Sequence, residues 1–247
     1  MKICISYSGQ PRMLDHAKRT FDSLFAPLSK SGHECHVMYT TWDHTNVEKY
    51  VALFPMAHVR QVAQPKDEVY EAYERNFRQL TFQHTMTNYM LGLYIRKETV
   101  NTINQYEAMH HIDFDVIISL RTDTLIQLDR SIEWCCEQAM ANGNSIFVGD
   151  RERFDVTGRG ACPDMFIVAS KGAALKCLNQ HDHIEGCSFI YEGEKTVHPE
   201  TSCYLNFKQH GCNVVYVPGS CFVDQSDRHL YTQPNSYNES VYRKYRQ

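Results

Sequence analysis

The sequence predicts an α/β protein, and three observations carry that prediction. Residues 115–120, Asp115-Val116-Ile117-Ile118-Ser119-Leu120, form a short apolar run rich in β-branched side chains and bounded by polar ones. This is the pattern of a central strand covered on both faces. At the N-terminus an apolar run over residues 3–7 breaks at Ser8-Gly9-Gln10-Pro11-Arg12 before a helical pattern over residues 13–28. Strand, glycine turn, helix is the order in which α/β proteins present backbone N–H groups and a helix N-terminus to phosphate. Further apolar runs alternate with helical patterns to residue 217, and 247 residues with 43% hydrophobic content suffice for a full core.

The elements follow in order. Residues 34–39 read as a second strand, with Thr40-Thr41-Trp42-Asp43-His44 at its end. Residues 47–54 are helical or irregular, Val59-Arg60-Gln61-Val62 is a short strand, and residues 64–79 are a polar loop entering a helix. Residues 83–106 make the longest helix, with Met86, Tyr89, Met90, Leu93, Tyr94, Val100 and Ile103 recurring at spacings near three and four, a core-facing stripe. Lys97 lies off the centre of that stripe and faces either a cleft or water. After the 115–120 strand, Ile132–Ala141 is a helix stopped by Asn142-Gly143-Asn144, and Ser145–Gly149 is a strand. Residues 150–163, with Gly158-Arg159-Gly160 and no periodicity, are expected to be a mobile loop at the active face. Asp164 leads a strand over residues 164–169, and Lys171–Leu178 is a helix. Val197-His198-Pro199-Glu200-Thr201-Ser202 opens a helix that stops at His210-Gly211, before a strand over residues 214–217. The tyrosine-rich tail from Asp224 is a flap or partly disordered.

Several residues stand where chemistry is done. Asp123 follows the 115–120 strand in Arg121-Thr122-Asp123; at the carboxyl edge of an open sheet a carboxylate is placed to hold a divalent cation against a diphosphate. Its other reading is a turn residue or helix cap. Gly9 permits a tight turn, and Arg12 supplies a guanidinium able to grip phosphate or carboxylate. Trp42 either stacks on a base or packs. Glu200, just after Pro199, sits in a first helical turn, where the dipole favours a carboxylate whether or not it has a chemical role.

Other classes are disfavoured. A formal net charge of -4 offers no general attraction to nucleic acid, so any nucleotide bound is expected to be a small molecule. The N-terminal run is too short and too soon polar for a signal peptide, and no apolar run approaches membrane-spanning length, so a soluble cytoplasmic protein without a transmembrane segment is expected. The ten cysteines are scattered, without the close pairs of structural zinc sites, and are expected to be reduced. His181-Asp182-His183 reads as a polar loop rather than a ligand cluster.

Taken in order, Tyr7-Ser8-Gly9-Gln10-Pro11-Arg12, Tyr39-Thr40-Thr41-Trp42-Asp43 and the 115–123 segment resemble a group of nucleotide-sugar glycosyltransferases from bacterial polysaccharide loci and large viruses, as do Pro163-Asp164-Met165-Phe166 and Pro199-Glu200. The resemblance implies a single GT-A-like, Rossmann-related domain over residues 1–247, a mixed and mostly parallel sheet flanked by helices, with a nucleotide-sugar donor half in 1–125 and an acceptor half in 126–247. It implies a donor site of Ser8, Gly9, Gln10 and Arg12, with Trp42 and Asp43 near the base or ribose and Lys97 and Arg121 as further contacts. It also implies a Mn²⁺ or Mg²⁺ ion on Asp123, and a glycan or glycoprotein acceptor. In that family an Asp-x-Asp motif binds the metal; here Arg121 replaces the first acid, and either supplies positive charge itself or braces the sheet. Glu200 resembles the general base of inverting members, with Asp164 as the rival, and the anomeric outcome stays open.

Two other readings accompany this one. A sugar-nucleotidyltransferase is disfavoured, because the 8–12 turn has one glycine and one arginine where such enzymes carry a glycine-rich basic loop. A catalytically silent carbohydrate-binding protein is kept open by Arg121.

Overall fold

The computed structural model describes residues 1–79, 85–149, 160–162 and 166–223. Its centre is a seven-stranded sheet. From edge to edge run β3 (His58–Val62), β2 (Glu34–Trp42), β1 (Lys2–Ser8), β5 (Val116–Arg121), β8 (Phe166–Ser170), β7 (Ser145–Gly149) and β11 (Asn213–Val217), numbered in chain order. Every neighbouring pair is parallel except the two made by β8. The expected mixed, mostly parallel sheet is therefore present.

Side-chain alternation sends each strand's residues to two cores. Ile3, Ile5, Tyr7, Ile118 and Leu120 pack against α1 (Leu14–Thr20), α2 (Ala26–Lys30), α3 (Glu48–Leu53) and α6 (Ile132–Ala141). Cys4, Met38, Ile117, Ile146 and Ala169 pack on the opposite face, under α5 (Met86–His110), α7 (Lys171–Leu178) and α8 (Pro199–Gln209). Being covered on both sides is why the central strands read as continuous apolar runs.

The β1–β5 pair is fixed at its amino end by Asp115, whose N–H donates to Lys2 O at 2.9 Å and whose Oδ2 accepts the Lys2 N–H at 2.7 Å. The approach to β5 is secured by Glu107 near the end of α5. Glu107 Oε1 accepts the Phe114 N–H at 2.8 Å, Oε2 pairs with Lys171 Nζ at 2.8 Å, and His111 closes the helix in the left-handed region at φ 54°. With no glycine to stop it, α5 runs four residues beyond the expected end at 106.

Other departures have local causes. The helix expected over 13–28 is α1, a π-turn over Phe21–Phe25 and then α2. Pro27 at the start of α2 has no N–H, and the turn before it is widened. β2 extends to Trp42 because its last residues, Thr41 and Trp42, pair with Gln61 and Val62 of β3. Residues 64–79 hold α4 (Glu71–Asn76) and β4 (Arg78–Gln79), and β4 joins a small sheet with β10 (Glu194–Val197) and β9 (Phe189–Tyr191). A second pair, β6 (Thr124–Leu128) with β12 (Gly219–Val223), follows the Thr122-Asp123 turn. These short strands find partners far along the chain or on a tight turn at Glu192-Gly193, where φ is 51° and 82°. Most of the 150–163 loop, Asp164 and the tail from Asp224 lie outside the described residues. No helix among the described residues is long and apolar enough to cross a membrane, and none of the nine cysteines whose side chains are described is in a disulfide.

Glu107→Ala would strand the buried Phe114 N–H and remove half of the Lys171 pairing. Urea denaturation should show a loss of about 2–4 kcal/mol, with little change in m-value.

Candidate functional site

From β1 the chain winds outward through β2 and β3, then returns by way of α5 to β5 on β1's other side. The carboxyl ends of β1 and β5 are therefore a topological switch point, where open α/β sheets carry their ligand crevice. Ser8 pairs with Arg121 on one side and Thr40 on the other. The N-terminal bend and the Arg121-Thr122-Asp123 turn meet there.

Gly9 begins the bend at φ +96°, a conformation strained for any L side chain. Its N–H donates to Thr40 O at 3.0 Å, and its carbonyl accepts the Tyr39 hydroxyl at 2.8 Å. Burial pushes the Tyr39 phenol well above its ordinary pKa, so it stays protonated and donates. Thr122, 1% exposed, clips the two segments together: its hydroxyl donates to Gln10 O at 2.8 Å and accepts the Arg12 N–H at 3.1 Å. Met13 is left-handed at φ 48°, and α1 follows with only seven residues. The Gly9 and Arg12 N–H groups are thus spent on the protein, so the bend is held by its backbone and offers chiefly side chains to a ligand.

Those side chains are mostly cationic or hydroxylic. Arg12 is exposed and donates from Nε and Nη2 to Gln10 Oε1 at 3.3 and 3.0 Å. Arg121 grips Asp123 with a fork, Nε to Oδ1 at 2.8 Å and Nη2 to Oδ2 at 2.6 Å. The Asp123 side chain is 7% exposed and that of Arg121 37%. Ser8, Ser119, Arg121 and Arg96 line one concavity, whose apolar wall includes Leu178, Cys203 and Phe207. It is narrow, with room inside for about one water.

A divalent cation of the Mg²⁺ or Mn²⁺ type needs open oxygen ligands. Both Asp123 oxygens are held by Arg121, and no group of three or more His, Cys, Asp or Glu side chains among the described residues is placed to hold a metal. Among the described residues, those present do not fit the expected ion.

The other predicted residues fall in different places. Trp42 is 5% exposed, packed with Val62 and Ile95 and stacked on Tyr94 at 6.3 Å, so it takes the packing role of its two readings. Asp43 is exposed at the end of β2 beside His44, at 3.5 Å. Lys97 pairs with Asp182 at 2.7 Å and is not among the residues lining the concavity. Asp182 belongs to the Asn179–His183 turn, so the 181–183 triplet is structural. Glu200 lies half-buried in the first turn of α8, and its carbonyl accepts the Cys162 N–H at 3.1 Å. Because α8 leads through a short turn into β11, parallel to β7, its first turn lies at the same carboxyl edge as the β1–β5 junction. Cys203, one turn further along α8, lines the concavity. Asp164 lies outside the described residues.

Sequence reasoning missed Arg96 and Thr122. The signal for Arg96 was a charge three residues after Leu93, where the apolar stripe of α5 should have continued. No comparable signal marked Thr122, whose partners are 110 and 112 residues away.

No protein-family model matches the chain, and no curated protein does. Among solved structures, apo mouse xyloside xylosyltransferase 1 aligns at 12% identity over 87% of this chain and 84% of that one, with a TM-score of 0.44. A nucleoside-diphosphate-sugar pyrophosphorylase from Vibrio cholerae RC9 aligns at 12% identity over 87% of this chain and 91% of that one, with a TM-score of 0.41. At this level of likeness the fold rests on strand order and direction themselves.

Thr122→Val keeps the shape and removes the clip, and should cost about 1–3 kcal/mol of stability by urea denaturation. Thr122→Ser should recover most of it. Gly9→Ala, which meets open space but must hold φ +96°, should cost about 1–2 kcal/mol.

Proposed function

We propose that the chain is a GT-A-like glycosyltransferase that moves a sugar from a nucleoside-diphosphate donor to a glycan or glycoprotein acceptor. The observation that carries this reading is the β1–β5 junction, where the bend at Ser8-Gly9-Gln10-Pro11-Arg12 and the turn at Arg121-Thr122-Asp123 are clipped into one crevice edge at the switch point. The donor's diphosphate lies against that edge, near Ser8, Arg12, Arg96 and Arg121. The positive charge of the three arginines favours the leaving diphosphate more than the intact donor, because negative charge grows on it as the bond to the sugar breaks.

Glu200 supplies the base. Its carboxylate takes the acceptor hydroxyl proton as that oxygen bonds to the anomeric carbon, and the electron pair of the breaking bond leaves on the diphosphate. The α8 first turn, on the same edge, supports this role.

One observation favours a second reading. The Arg121–Asp123 fork occupies the carboxylate where the resembled family holds its metal, which suits a protein that binds a sugar nucleotide or glycan without transferring.

Thermal shift with UDP-, GDP- and TDP-sugars tests donor binding; a matched donor at a hundred times its Kd should stabilise by about 2.7 kcal/mol. Glu200→Gln should keep that stabilisation while donor turnover, read as released nucleoside diphosphate, falls about a hundredfold or more. A fully active Gln variant removes Glu200 as the base. Donor binding with no turnover in the unmodified chain selects the second reading.

A further inference from the structure

This inference rests on the donor reading and deepens it. We propose that guanidinium groups, Arg121 with Arg96, hold the donor's diphosphate in place of a divalent cation, and that Asp123 is a positioning residue for Arg121 rather than a metal ligand.

Arg121 ends β5 on the same face as Ser119, two residues earlier, and that face is turned toward α5. Arg96 lines the same concavity from α5, so the two guanidiniums border one space from the sheet and from the helix above it; its interior holds about one water, so the diphosphate lies across its opening. The fork to Asp123 is short and charge-assisted, which fixes the guanidinium plane. Asp123 has little freedom to turn elsewhere: it is 5% exposed and follows Thr122, which is itself tied to Gln10 and Arg12. An Arg fixed in this way still lines the concavity, and the edge of its guanidinium that does not face Asp123, Nη1 with Nη2, matches phosphate oxygens where a lysine would present a point charge. Arg12 adds a third cation at the bend. Asp123 is a charged partner of Arg121, and the exposed Asp43 ends the next strand but one. The acid that would complete a metal site is thus spent on holding a cation of the protein's own.

Isothermal titration of the full chain with UDP, GDP, TDP and inorganic pyrophosphate, first in EDTA and then with Mn²⁺ or Mg²⁺, tests the proposal. At least one of these should bind in EDTA, and metal should change its Kd by less than about threefold. Arg121→Ala and Arg96→Met should each weaken binding about tenfold or more, while Lys97→Met, one position round the helix, leaves it unchanged. Asp123→Asn should weaken binding in the unmodified background but not in the Arg121→Ala background, since it acts through that arginine; a purely structural role would weaken both alike. Unchanged circular dichroism and Tm without ligand certify each variant. If Arg121→Ala does not fold, Arg121→Lys carries the test and should lose the coupling to Asp123. Binding that requires metal, or that survives in the Arg121 variant, overturns the clamp and leaves the donor reading standing. No binding of any of the four, with or without metal, overturns the donor reading and the clamp with it.

Discussion

The site depends on the register between β1 and β5. The two strands are fixed at one end by Asp115 with Lys2, and at the other by Thr122 with Gln10 and Arg12, so Ser8 faces Arg121 without slack. A slip of one residue would turn Ser8 and Arg121 away from α5 and bring Tyr7 and Leu120 out of the opposite core. The hydrophobic alternation that forbids this slip is the same feature that aims the polar ends of both strands at one crevice. Folding and the placing of the site are one event here.

α5 is the second organising element, and its buried polar side chains show why. Thr102 meets Thr40 of β2 at 2.9 Å, and Glu98 pairs with Arg60 of β3 at 3.1 Å. Arg96 meanwhile lines the concavity at the β1–β5 junction. The helix thus spans the sheet from its β3 edge to the switch point, and it gives up a clean apolar face to do so. Thr40, Glu98 and Thr102 are buried, each with a hydrogen-bonded or charged partner.

A carboxylate at a strand's carboxyl end takes its role from its neighbours. Asp123 lies just past the carboxyl end of β5, and Arg121 two residues earlier closes on it with both nitrogens of a fork. The same acid is therefore paired with a cation belonging to the chain. Arg-x-Asp and Asp-x-Asp differ by one side chain but point to opposite electrostatics in the crevice.

The central strands, the helices at Ile132–Ala141 and Lys171–Leu178, and the meeting of the glycine bend with the Arg121-Thr122-Asp123 turn were legible in the sequence. Each is written in local periodicity, or follows from the rule that ligand sites gather at the carboxyl edge of such sheets. The strands β4, β6, β9, β10 and β12 were not, since a short strand is defined by a partner and not by its own composition. The roles of Trp42, Lys97 and Arg96 were also hidden: residues 96 and 97 are adjacent in sequence, but about 100° of helix rotation sends one into the crevice and the other to Asp182. The sequence by itself determined which residue types sit at the carboxyl edge, because burial and strand period are local properties. Only the tertiary structure decided which of them face each other and which charge is already taken, because those depend on contacts between segments about a hundred residues apart.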